Sequence, residues 1–136
     1  MRIQPVPTQY AQQTWPMVAP FIVSGLRFSE GDYDAEHAKV YLANGQWQLL
    51  IARDDNDRVA GAATVEFINR PNDRVAFFTS VGGKFMTTPE VFSQVRNILK
   101  AYGATKIEGA ARESAARLWQ SKFGFNEKYK IVEVSL

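Results

Sequence analysis

The stretch VGGKFMTTPE, Val81 to Glu90, places two glycines, a lysine and two threonine hydroxyls just before a proline that suits a first helical turn. Residues of these types can bind an anion. Glycines let backbone N–H groups approach phosphate oxygens at a helix N-terminus, and the helix dipole favours negative charge there. On this reading Gly82 and Gly83 bend the backbone, Lys84 meets a phosphate, and Thr87 and Thr88 donate from their hydroxyls. The same letters also suit a strand-end bend feeding a helix, and the sequence leaves both open. Glu66 is the one carboxylate of RVAGAATVEFI, where Val65 and Phe67 face the opposite side of a strand.

Other chemistry is thinly represented. His37 is the only histidine, and DAEHAKVY places it on a surface helix as a structural or solvated residue. One histidine, no cysteine and no HExxH spacing leave nothing for a metal centre. The absence of cysteine also excludes disulfides and a thiol nucleophile, and no G-x-S-x-G elbow is present. DDND, Asp54 to Asp57, lacks the Gly and Glu of a calcium loop and reads as a hairpin turn. Trp15, Trp47 and Trp119 read as core or half-buried residues.

These groups must be positioned by a chain of 136 residues, enough for one domain spanning 1–136 with a real core. Hydrophobic residues make up 46% and charged residues 22%, an ordinary globular balance. The net charge of +2 comes from scattered Lys and Arg, so no dedicated nucleic-acid face is expected. No run approaches the roughly 20 apolar residues of a membrane span, and MRIQPVPTQY lacks the apolar core of a signal peptide. A cytoplasmic location is expected.

MRIQPVP suits a first strand, held at an edge by Pro5 and Pro7. From Thr8 to Arg27, Trp15, Val18, Ile22 and Leu26 fall near helical spacing, but Pro16 and Pro20 predict a kinked or broken helix. Asp32 or Asp34 caps a second short helix that ends near Gly45. The period then becomes strand-like in WQLLIAR, RVAGAATVEFI and RVAFFTSV, separated by turn residues, which predicts an antiparallel meander. TTPEVFSQVRNILKAYGA has an N-cap threonine, an apolar stripe through Val91, Phe92, Val95, Ile98 and Leu99, and a stop at Gly103. TKIEGAA predicts a strand parallel to the one ending at Val81, because a helix crosses between them. A short helix and a closing strand, YKIVEVSL, complete a mixed α/β sheet.

This order, ending in GATKIEGAARESAARLWQSKFGF, resembles the GNAT superfamily of acyl-CoA-dependent N-acyltransferases. Gly103-Ala104 leads into the strand near Ile107, a helix starts about Glu113, and Gly124-Phe125 opens the last strand. It is also similar to small, divergent GNAT-like proteins of tailed phages. The resemblance implies direct acyl transfer from acetyl-CoA or another acyl-CoA to an amine on a small molecule or protein. It implies a splay between the strands at Val81 and Ile107 that admits the pantetheine arm. It makes Glu66 a candidate to deprotonate the amine, and Val81, Gly82, Gly83, Lys84, Thr87, Thr88 and Ser114 candidates to hold the cofactor.

The sequence departs from the family pattern in two places. The pyrophosphate loop Gln/Arg-x-x-Gly-x-Gly/Ala is absent, with Met86 and Thr88 at the glycine positions and Gly83 at the leading one. In the last helix the family's Asn falls on Glu113 or Ser114, and its Tyr on Gln120 or Trp119, neither of which can protonate a thiolate. A second reading follows: a catalytically inactive GNAT-fold binding or assembly protein, phage-encoded and resident in the host cytoplasm. A homodimer or an assembly partner is compatible with either reading.

Overall fold

A computed structural model describes all 136 residues. Strand β1 (Arg2–Val6) lies at one edge of a five-stranded sheet whose spatial order, β1-β2-β3-β4-β5, follows the chain. An edge is where a strand tolerates proline, which has no N–H for a ladder. β2 (Trp47–Arg53), β3 (Val59–Asn69) and β4 (Arg74–Gly83) form the expected antiparallel meander. Between β2 and β3 the Asp54 carboxylate accepts from the N–H groups of Asn56 and Arg58, so DDND is a hairpin turn. β5 (Lys106–Gly109) pairs parallel with β4, as the crossover predicts.

The crossover is helix α3 (Pro89–Ala101). Thr88 caps it, its Oγ accepting from the Val91 N–H at 3.2 Å, and Glu90 sits at the positive end of the dipole. Val91, Phe92, Val95 and Leu99 are buried with Leu50, Ala63, Val65 and Ala76 of the sheet. Ile98, at the margin of the stripe, is half-buried. Helix α4 (Glu113–Phe123) adds Trp119 and Phe123 to the same core and ends at Gly124, whose φ of +77° suits glycine.

The opposite face of the sheet carries α1 (Ala11–Leu26) and α2 (Ala35–Ala43), packed on Val6, Trp47, Leu49, Ile51 and Ala62. The predicted break in α1 does not occur. A 3-10 turn, Thr8–Tyr10, precedes one continuous helix containing both prolines. Pro16 and Pro20 are four residues apart on the exposed side, as is Gln12. The carbonyls of Gln12 and Pro16, which lose their i+4 donors, therefore lie on the wet side, where water can replace the lost bonds. α2 begins with a reciprocal cap: Asp34 accepts from the His37 N–H at 2.9 Å, and His37 Nδ1 accepts from the Asp34 N–H at 3.2 Å.

The closing strand is the main departure. Residues 124–136 contain neither helix nor strand. YKIVEVSL has the letters of a strand, but a strand exists only where a neighbour accepts its backbone hydrogen bonds, and none lies beside this segment.

Candidate functional site

The β4–β5 ladder joins Val75–Phe78 to Lys106–Gly109 and stops there. β4 runs on to Gly83 with β3 on one side and no strand on the other. β5 itself ends at Gly109, and just beyond Phe78 β4 is bulged against β3: Thr64 pairs with Ser80 while Val65 pairs with Phe78, leaving Thr79 as an extra residue. Such a bulge bends and twists its strand. The Thr79 hydroxyl stabilises it, donating to the Thr64 carbonyl at 3.1 Å and lying 2.7 Å from Thr64 Oγ1. Trp119 stands at the end of the β4–β5 ladder, its ring 6.2 Å from Phe78. The Arg112 guanidinium, at the start of α4, lies 4.4 Å over the Phe28 ring in the α1–α2 loop. The two loops therefore meet across the end of the sheet.

A row of registered residues crosses the α1/α2 face: Trp47 opposite Glu66, Glu66 opposite Phe77, Phe77 opposite Glu108. With strands about 4.7–4.9 Å apart, the backbones bearing Glu66 and Glu108 are about 10 Å apart, with Phe77 between them. The two carboxylates differ in partners. Glu108 accepts from Arg70 at 2.7 Å and Lys128 at 2.8 Å. Glu66 is half-buried with no ion pair and no side-chain hydrogen bond, while Tyr33 packs edge-on to Trp47 at 4.9 Å beside it. Burial raises the Tyr33 phenol above its ordinary value, with the Glu66 and Asp32 carboxylates adding to the effect. That phenol stays protonated at neutral pH and is available as a donor next to a free carboxylate.

Hydrogen bonding from Arg70 holds the Glu108 carboxyl below its usual value, outweighing the upward push of burial, and Lys128 adds to it. A depressed folded-state pKa contributes stability above the ordinary glutamate range and loses it as pH falls through the folded value. Unfolding free energy should thus be flat on this account at neutral pH and fall only under acid. Glu108→Gln should remove part of that acid dependence, as denaturant titrations at neutral and acid pH would show. An unchanged acid slope would mean that this ion pair does not contribute.

The loop from Gly82 to Thr88 is tied down from both sides. A Cβ on Gly82 would land on the Phe21 carbonyl of α1, so glycine is needed there for close packing of strand and helix. The Lys84 N–H donates to the Ala60 carbonyl at 2.9 Å. Phe85 and Met86 are 1% and 7% exposed, and they point into the α3-side core rather than over the helix end. Thr88 Oγ is committed to the helix cap, and Pro89 has no N–H. The Lys84 and Thr87 side chains remain exposed.

Val81, Gly82, Gly83, Lys84, Thr87 and Thr88 lie along one continuous path from the end of β4 to the start of α3. Ser114 is exposed in the first turn of α4. Glu66 lies one strand away from β4, on the α1/α2 face. His37 is taken up by the α2 cap, and no three His, Asp or Glu side chains come together to hold a metal ion. Tyr33 and Arg112 escaped the sequence reading. Both come from loops, and neither carries a spacing signal that points to the sheet end.

No protein-family model matches the chain, and no curated protein matches its sequence. Solved structures do match in fold. A probable acetyltransferase superposes with TM-score 0.67 at 16% identity, covering 100% of this chain and 97% of its own. An aminoglycoside acetyltransferase from an uncultured soil metagenomic sample, in complex with sisomicin, gives TM-score 0.69 at 11% identity, over 99% of this chain and 95% of its own. A predicted acetyltransferase with acetyl-CoA from Clostridium acetobutylicum gives 0.62 at 15%, over 98% and 95%. The architecture is thus GNAT-like: a mixed five-stranded sheet with four helices. No helix is long and apolar enough to cross a membrane.

Proposed function

We propose that the chain is an acyl-CoA-dependent N-acyltransferase whose amine acceptor docks against Glu66. The observation that carries this reading is the end of the β4–β5 ladder at Phe78, beyond which β4 runs on to Gly83 with that side unpaired. It leaves β4 beyond Phe78 with no strand on that side, and the pantetheine amides would pair with that backbone. The cofactor supplies an activated thioester carbonyl when bound. The loop Gly82–Thr88 would face its diphosphate, with Lys84 as the available cation, the Thr87 hydroxyl as a donor and Ser114 beside the tail.

Glu66 would attract the acceptor's ammonium, orient its nitrogen toward the unpaired side of β4 and accept its proton on a carboxylate oxygen. Trp47, Phe77 and Tyr33 give that carboxylate apolar walls, which strengthens its pull on a cation. Tyr33 would position Glu66 or the acceptor by donating a hydrogen bond. Placing both reactants in one cleft supplies a large part of such a rate enhancement without a dedicated protein acid. Acyl-CoA is a cytoplasmic metabolite, so this reading places the protein in the cytoplasm.

The α3 terminus supports a second reading, a binding or assembly protein that has lost acyl transfer, of phage origin or otherwise. Its threonine cap is internally satisfied, its first residue lacks an N–H, and Glu90 puts a negative charge where a phosphate would sit. Titration calorimetry with acetyl-CoA separates the two. On the enzyme reading, binding heat is seen and Lys84→Ala weakens it at least about ten-fold, since a charge-assisted hydrogen bond contributes about 1.5–3 kcal/mol. Neither heat nor a thermal shift at millimolar acetyl-CoA would remove the enzyme reading.

A further inference from the structure

We infer that the amine taken up at Glu66 carries a carboxylate at the far end of a short aliphatic spacer, and that Arg70 and Lys128 recognise that carboxylate. The inference rests on the acceptor site proposed above and deepens it. It comes from what surrounds Glu66 on the α1/α2 face of the sheet.

Glu66 and Ile68 share this face of β3, and Arg70 follows just beyond the strand's end. The Arg70 guanidinium donates to Glu108 on β5, so the side chain lies across β4, which runs between the two strands. Ile68 lies between Glu66 and Arg70 along β3. Phe77 lies between Glu66 and Glu108 across the sheet. Both apolar side chains are half-buried, and neither belongs to either hydrophobic core. An apolar strip therefore separates a free carboxylate from a cationic group.

That cationic group has a surplus charge. Arg70 and Lys128 both donate to the one Glu108 carboxylate, at 2.7 Å and 2.8 Å. The neighbouring Asp73 does not offset it, because Asp73 pairs with Lys106 at 3.1 Å. Arg70, Lys106 and Lys128 thus face two carboxylates, and one positive charge is left over. The donors are not used up either. Arg70 keeps N–H groups beyond the one on Glu108, and its side chain is 33% exposed. A guanidinium takes a carboxylate as a planar fork. One surplus positive charge matches the single negative charge of a carboxylate better than the nearly double charge of a phosphate monoester. With strands about 4.7–4.9 Å apart, the backbones bearing Glu66 and Glu108 are about 10 Å apart. That span holds an ammonium on Glu66, a short aliphatic chain over Ile68 and Phe77, and a carboxylate at Arg70.

The probes are γ-aminobutyrate and ε-aminocaproate, each beside an amine of like length without the carboxylate, butylamine and hexylamine. Two readouts are taken on the full-length protein: binding without cofactor, by nuclear magnetic resonance titration, and kcat/KM with acetyl-CoA. In at least one pair the amino acid should bind at least about ten-fold more tightly, as one charge-assisted hydrogen bond supplies. Arg70→Gln should abolish that preference, in a protein whose fold circular dichroism verifies. Lys128→Gln, at an exposed position, should lower it several-fold. Preference in binding without acyl transfer would remove the acyltransferase reading and leave this inference standing. Transfer without preference would do the reverse. Binding of neither amine overturns the inference. So does a preference that survives substitution of Arg70, or of Lys128 should the first variant not fold.

Discussion

Glu66→Gln should lower the turnover of acyl transfer about 10²–10⁴-fold, the usual contribution of a positioned general base. The substitution keeps the shape of the side chain and removes the charge and the proton site. Because Glu66 has no ion pair or hydrogen bond to lose, stability should change by no more than about 0.5 kcal/mol, as at other uninvolved positions. Acetyl-CoA affinity should hold as well, since the residue lies a strand away from the proposed cofactor path. Steady-state kinetics with an amine acceptor, beside acetyl-CoA calorimetry, give the pattern: turnover collapses while cofactor binding does not. Equal turnover in the variant would make Glu66 a bystander. Tyr33→Phe should have a smaller effect on turnover, because it removes one hydrogen-bond donor and leaves the carboxylate in place.

Leu99→Ala should cost about 2–5 kcal/mol of unfolding free energy, as large-to-small changes in packed cores do. Leu99 is 1% exposed in the cluster that joins α3 to β1, β2, β3 and β4. The cost is set by the transfer of the lost methyl groups and by the cavity left behind. The sheet residues beneath it are held in their ladders, which limits how far they can collapse into the space. Denaturant unfolding monitored by tryptophan fluorescence would measure it. A loss below about 0.5 kcal/mol would show that this helix face is loosely packed, contrary to its burial.

Much of the architecture was legible because its signals are local. The change from a period of two to one of 3.6 at Pro89, the threonine cap and the stop at Gly103 all act within a few residues. They mark α3 and thereby make β4 and β5 parallel neighbours. The Asp54 turn, the Asp34 cap and the left-handed Gly124 are local in the same sense. The sequence also carries the missing pyrophosphate-loop glycines directly, since Met86 and Thr88 are simply there.

What tertiary structure decided depends on neighbours. Pro16 and Pro20 forbid two hydrogen bonds in any helix, but only the packing of α1 shows that the deprived carbonyls face water. Glu66 and Glu108 are alike as letters on strands; register puts them in one row, and the reach of Arg70 and Lys128 leaves only Glu66 free. Tyr33 comes to Glu66 through a loop whose path depends on how α1 and α2 pack on the sheet. The segment YKIVEVSL has strand propensity, yet a strand is completed by hydrogen bonds to another chain segment. Propensity belongs to the residues themselves, whereas pairing depends on what lies alongside them.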